Sequence, residues 1–364
     1  MPAWFLNSHA LAARLRVDEA RLVIDEAVRH GVAGLLAHTA GPDLHPHLND
    51  LRRRLILEEE LRAAEMRRVI DALGEAGVRA VILKGGALAY THYPEPWCRT
   101  RADLDLLVSR DHRRAAGRAL QAIGYGEGDL VSGTWLMQQD LWERRLAPDA
   151  IQMVDVHVEF TNRAFFASKL RVDDALARAV PAPFAGRHGW QLEAVDALLF
   201  SCVHRVAHHS RDARLIWSCD IARQAAACTP PHIEALLARA AGSGLSAVCA
   251  HELTAARDMT GEVAGALAHS VTEALVREGQ QDAARAFLAP GRGPAGDLWL
   301  DLQALPGWRA RATLVMEHLA PSRAFMLRQP GATPRNLPWR YVRRLVAGPS
   351  SRCSRRRAAA ARAS

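Results

Sequence analysis

The chain has 364 residues, 49% of them hydrophobic and 24% charged, a length and balance that suit a globular protein of two domains or of one domain with a large helical appendage. No apolar run approaches the roughly 20 residues of a membrane span, and the opening MPAWFLNSHALAARLRVDEA has no basic head followed by an apolar block, so the expected address is cytoplasmic, with no membrane contact. The net charge of +8 is weak support for nucleic-acid binding, because seven arginines and no acid lie between Tyr341 and Ser364, which leaves about +1 for the rest.

Residues 10–40 read as helical, with Leu11, Leu15, Leu22 and Val23 at approximate helical spacing. A stronger helix is expected from Leu51 to Ala76, where Leu51, Leu55, Leu61, Met66, Val69, Ile70 and Leu73 form an apolar stripe and Gly74 and Gly77 mark the end. VRAVILK (78–84) is a short strand of the kind buried on both faces. Gly85 and Gly86 break it, and Ala87–His92 reads as the first turns of a helix. A loop with Pro94 and Pro96 leads to a strand at Asp103–Ser109, followed by a helix to about Ile123. Residues 141–160 read as a hairpin turning at Ala147-Pro148-Asp149-Ala150. Its second arm alternates, with Val154, Val156, Val158 and Phe160 on one face and Asp155, His157 and Glu159 on the other.

After residue 165 the pattern is helical throughout, with candidates at Leu192–Ala207, Leu215–Ala227, Ile233–Ala241 and Leu245–Met259. Residues 286–296 read as a breaker-rich linker, and PSSRCSRRRAAAARAS is low-complexity. The resulting organisation is an N-terminal helical segment (1–44), a catalytic core (45–165), a helical domain (166–285), a C-terminal extension (286–347) and a basic tail (348–364). The fold class is α+β: a small mixed sheet flanked by helices, then an α-helical domain.

Asp103 and Asp105 share one face of their strand. Two carboxylates this close repel, and burying them without compensation costs several kcal/mol or more. A divalent cation removes that cost, and Mg²⁺ favours hard oxygen ligands shared with phosphates. Asp155, flanked by valines on a later strand, supplies a third acid for a two-ion site, with Mn²⁺ an acceptable substitute. The N–H groups of Gly85 and Gly86, unshielded by side chains, are placed to approach phosphate oxygens, and Lys84, Arg99 and Arg101 are the nearby cations.

Strand-Gly-Gly, then Asp-x-Asp, then a further acid resembles the nucleotidyltransferase superfamily with the polymerase-β-like fold. "LKGGAL", "R-x-x-x-DLDLLV" and "VDVH" are similar to a bacterial branch of it, and the likeness continues through "HRVAHHSRDARLIWSCDIA" (204–222). It implies that Asp103, Asp105 and Asp155 bind metal and that Gly85 and Gly86 lie along the phosphates of an NTP, ATP being the expected donor. The expected reaction moves NMP to an unknown hydroxyl or phosphate acceptor, a small molecule or peptide, with release of pyrophosphate. The superfamily more often has Gly-Ser than Gly-Gly at the turn, and Glu159 competes with Asp155 as third acid. A phosphotransferase acting on a peptide or metabolite would use the same site; a non-catalytic partner-binding, toxin–antitoxin-like protein is a further reading, against which the complete set of metal ligands argues. The basic tail reads more simply as a solubilising end, and it is the one place where the sequence offers nucleic acid a contact.

Other signals have plainer readings. His204 and His208, four apart on a helix, form either a two-imidazole metal pair or, more economically, an acceptor wall or packing cluster. "HELTA" (251–255) lacks the second histidine of a zinc-protease motif. "GRGPAG" (291–296) follows no strand and reads as a loop. The six cysteines contain no C-x-x-C pair and read as buried thiols of a reducing compartment. Trp135, Trp142, Trp190 and Trp217 read as core residues.

Overall fold

The computed structural model describes residues 17–39, 46–128, 138–147, 150–210, 212, 214–260, 269–321, 323–327, 329 and 331–347. Leu11, Leu15, Trp135, the turn residues Pro148 and Asp149, Cys353 and the tail 348–364 lie outside them. Three helices come first: α1 (Val17–Arg29), α2 (Ala33–Thr39) and α3 (Pro46–Glu75). The third starts five residues before its expected position, at a proline, whose fixed φ suits a first helical turn. Met66, Val69 and Leu73 face the sheet, whereas Leu51 and Leu55 pack with α2. Leu61, expected in the same stripe, is exposed.

The sheet begins with β1 (Val81–Ile82), much shorter than the apolar run suggested, because the backbone turns at Lys84 (φ 51) and enters α4 (Lys84–Thr91). After a 3₁₀ turn at Pro96–Cys98 come β2 (Asp103–Leu107), α5 (Arg113–Ala122), β3 (Gly126–Glu127), β4 (Gln139–Ala147) and β5 (Ala150–His157). Two short helices, α6 (Ala164–Ala167) and α7 (Val172–Arg178), then lead into β6 (Val180–Phe184) and β7 (Arg187–Gln191).

That last hairpin corrects the expectation of helix throughout the region after residue 165. VPAPF carries two prolines and RHGWQ has no alternating apolar pattern, so neither reads as a strand. The prolines are tolerated because β6 lies at the sheet edge, pairing only with β7. Ala185 and Gly186 turn the hairpin with positive φ at both positions, as a two-residue loop of right-handed twist requires. The strand order is β3-β4-β5-β2-β1-β7-β6, with β2 parallel to β5, β1 parallel to β7 and β1 antiparallel to β2.

The helical part comprises α8 (Ala194–His209), α9 (Leu215–Ala226), α10 (Pro230–Ser243), α11 (Ser246–Thr260), α12 (His269–Glu278), α13 (Pro294–Ala304), α14 (Gly307–Leu319), α15 (Arg323–Leu327) and α16 (Leu337–Ala347). The second half of GRGPAG opens α13, with Pro294 in its first turn. The sheet is covered on both faces. Leu104, Leu106, Val154 and Val156 meet α3 and α5, while Val81, Leu83 and Leu107 meet α7 and Phe200 of α8. A second core joins α8 to α9 and α11. The architecture is thus a mixed-sheet core with a helical domain following it. Trp142 is core, Trp190 and Trp217 are half-buried, and Trp299, Trp308 and Trp339 are exposed. The five described cysteines are free and buried. Among the described residues no helix is long and apolar enough to cross a membrane.

Candidate active site

The parallel pairing of β2 with β5 sets Asp105 opposite Asp155 and Leu107 opposite His157. Strand alternation sends Leu104, Leu106, Val154 and Val156 into the α3–α5 core, so the two aspartates and His157 share the face toward α8. All three are buried, at 4%, 2% and 5% exposure. Each offers a ligand atom, and these atoms lie within 4.8 Å of one another. Among the described residues this is the group of three such side chains that the fold assembles.

Side-chain contacts balance the charge of Asp105. Lys84 Nζ donates to its Oδ1 at 2.7 Å, and His157 Nε2 lies 2.8 Å from the same oxygen. Burial alone raises the pKa of this carboxyl, but the Lys84 ammonium and the His157 hydrogen bond outweigh it and hold the group well below the ordinary range. Gln139 Nε2 reaches Asp155 Oδ2 at 3.5 Å. Lys84 does this from a left-handed backbone position, which costs on the order of 1–3 kcal/mol for a residue other than glycine. That conformation is where the chain leaves β1, turning the lysine toward the carboxylates.

The two glycines occupy the first turn of α4 and are both buried. A Cβ on Gly86 would lie 3.0 Å from Ile82 Cγ2 and 3.1 Å from Leu104 Cδ1, so its bareness lets α4 settle on β1 and β2. A Cβ on Gly85 would lie 3.1 Å from Cζ of Arg99, so this glycine makes room for the guanidinium. The N–H groups of residues 84–86 precede the first intrahelical bond, Ala87 N to Leu83 O, at the start of α4.

The expected cations separate. Lys84 is at the carboxylates. Arg99 is buried and donates twice to Asp220 of α9, at 2.8 and 2.7 Å, and Tyr93 donates to the same carboxylate at 2.7 Å. Arg101 donates twice to Glu59 of α3, at 2.7 and 2.8 Å, and Tyr90 joins that pair at 2.7 Å. Asp103 faces the same side as Asp105, two residues along β2, and is half-buried. It is not one of the three clustered side chains. Glu159, the competing third acid, instead accepts from Arg110 at 2.7 Å. His157 was legible in the alternation of VDVH but was not counted as a site residue. Asp220 and Glu59 carried no signal, since nothing local ties them to arginines 121 and 42 positions away.

Residues 18–261 match the family described as uncharacterised nucleotidyltransferase. That stretch is most of the chain, and the protein belongs to this family. No curated protein matches it. Among solved structures, the antibiotic-resistance factor ANT(2'')-Ia aligns at 13% identity over 54% of this chain and 98% of its own, with a TM-score of 0.36, too loose a likeness to bear on function.

Proposed function

We propose that the protein is a divalent-metal-dependent nucleotidyltransferase that moves NMP from an NTP, ATP foremost, to a hydroxyl or phosphate acceptor with release of pyrophosphate. The observation that carries this reading is the buried, in-register pair Asp105 and Asp155 with His157 beside them, in a chain of this family. The donor set suits a small divalent ion. Carboxylate oxygens favour Mg²⁺ or Mn²⁺, and the imidazole nitrogen tilts the balance toward Mn²⁺. When bound, such an ion supplies phosphate charge neutralisation and Lewis-acid polarisation.

The chain's own residues do the rest. Asp105, Asp155 and His157 hold the ion, with Asp103 a further oxygen donor at the open end of the same strand face. The N–H groups at Gly85 and Gly86 receive phosphate oxygens at the positive end of α4. Lys84 contributes a cation that neutralises the leaving pyrophosphate. Arg99 and Arg101 act at one remove, fixing the segment between α4 and β2 to α9 and α3. The buried thiols fit a reducing cytoplasm.

Thermal unfolding of wild type, Asp105→Asn and Asp155→Asn, each with and without Mn²⁺ or Mg²⁺ plus ATP, tests the site. A ligand at 100 times its Kd stabilises by about 2.7 kcal/mol, a shift of several degrees. The wild type is expected to show it and both variants to lose it, together with ATP-dependent pyrophosphate release. Undiminished stabilisation and turnover in Asp105→Asn defeats the reading.

A further inference from the structure

On the α8 side of the carboxylates stand three histidines that the proposed reaction does not use. His204, His208 and His209 lie in the last two turns of α8. The His204 ring is 5.1 Å from that of His208 and 4.9 Å from that of His209. Nε2 of His204 and Nε2 of His209 are 3.2 Å apart, and Nε2 of His208 is 2.7 Å from the Thr161 hydroxyl beyond the end of β5. His209 stacks on Trp217 of α9 with ring centres 4.1 Å apart. Phe200, one turn before His204, is 5.5 Å from the His204 ring and 6.0 Å from the Lys84 ammonium. The cluster therefore begins one side chain away from the lysine bonded to Asp105.

The cations around these rings are mostly held in ion pairs, Lys84 with Asp105 and Arg214 with Asp212. Lys84 reaches them from α4, Arg163 from the segment after β5, Arg205 from α8 itself and Arg214 from the turn before α9, with His157 facing them from β5. Asp212 faces them with Oδ2 3.6 Å from His209 Nδ1, and Asp105 lies behind Lys84 and His157. Arg163 is itself engaged by Asp297 and Asp301 of α13. Burial first, and then Lys84, push His204 well below the ordinary imidazole value; burial brings His209 down to about 4 in spite of Asp212. At neutral pH His204 and His209 are uncharged rings beside these paired cations. His208 is exposed and His204 and His209 are half-buried, while Nδ1 of His204 is buried without a hydrogen-bond partner.

Polar rings left partly unsatisfied are a costly way to pack a helix end. A metal is a poor occupant, since only two ring nitrogens converge and the cluster does not form a three-ligand group. An anion is a good one. It is drawn by the surrounding cations, and its own charge restores protons to the imidazoles, which then donate to it.

We propose that His204, His208 and His209, beside Lys84, form an anion subsite for a phosphate group of the nucleotide or of a phosphorylated acceptor, and that the site fills together with a proton. The identity of the phosphate bearer rests on the nucleotidyltransferase reading; the anion site itself does not.

Sulfate tests it, because its charge is constant between pH 6 and 8, so any proton drawn from the buffer on binding goes onto the protein. Calorimetric titration of the full chain with sulfate in EDTA, in two buffers of different ionisation heat, gives affinity and proton uptake together. The wild type is expected to bind with proton uptake, its affinity falling by up to about tenfold per pH unit for each coupled proton. His208→Gln and, independently, His204→Gln are expected to lose both the uptake and the pH dependence. No binding, binding without uptake, or uptake that persists in both variants overturns the proposal. Competition between sulfate and ATP in Mn²⁺ would assign the subsite to the nucleotide's phosphates; undiminished sulfate binding to the ATP-loaded protein would assign it to the acceptor. Because the titration needs neither metal nor nucleotide, its failure leaves the Asp105–Asp155 reading standing. Equally, loss of that reading leaves this test intact.

Discussion

Lys84 sits with its ammonium 2.7 Å from a carboxylate that is almost fully buried. Removing one partner of a buried ion pair leaves the other uncompensated, which costs up to about 3–5 kcal/mol. Lys84→Met is therefore expected to lower the unfolding free energy by that order in urea titration at pH 7, and Lys84→Met/Asp105→Leu to recover most of it. Equal stability of Lys84→Met and wild type would show that His157 alone suffices for Asp105. At this scale the sequence was most legible for the acids, because a strand's period of two fixes which side chains share a face. Asp105, Asp155 and the neglected His157 all follow from it. The partners of Arg99 and Arg101 do not, since an ion pair between residues far apart in sequence leaves no local pattern. The glycines carry two messages at once: the bend that sequence suggested, and the close packing against Leu104 and Arg99 that only coordinates reveal.

Among the elements, α3 is tied to the far end of the sheet by Glu65. This buried carboxylate accepts from Arg68 at 2.9 Å and Tyr125 at 3.0 Å, and also from Arg144 of β4. Burial pushes its pKa up, but the three donors, Arg144 foremost, bring it down on balance. A carboxyl whose folded pKa is depressed adds stability above its unfolded value of about 4.3, and loses it as pH falls through the folded value. Glu65→Gln is thus expected to cost about 1–3 kcal/mol at pH 7. The gap to wild type should narrow steadily below about pH 4.3 in chemical denaturation. A gap that stays constant down to pH 3 would mean the ion pairs contribute nothing. Elements with a strong period (α3, β2, β5, α8) were legible to within a few residues. The β6–β7 hairpin was not, because its identity comes from pairing with β1 across more than a hundred residues, and its prolines argue locally against a strand.

At the scale of the molecule, the family match stops at residue 261, yet the helical core does not. Leu275 of α12 and Ala284 and Phe287 of the 3₁₀ segment Ala283–Leu288 are buried in it. The Phe287 ring lies 5.0 Å from Phe165 and 4.6 Å from Phe166, the residues that follow β5 into the helical domain. Beyond Pro321 the situation reverses. Phe325, Met326 and Leu337 bury themselves against one another, joined by Leu327 and Tyr341, apart from the two main cores. Physical integration therefore ends between these points rather than at the family boundary. Phe287→Ala opens a cavity among aromatic rings and is expected to cost about 3–5 kcal/mol. Deleting residues 322–364 removes eleven arginines and no acid, but little of either main core, and is expected to cost clearly less. Urea unfolding of both variants beside the full chain decides it. A deletion that destabilises as much as Phe287→Ala would make the C-terminal arm part of the cooperative fold. Nucleotide-dependent stabilisation in the deletion, retained at the full-chain value, would separate the arm from the active site as well.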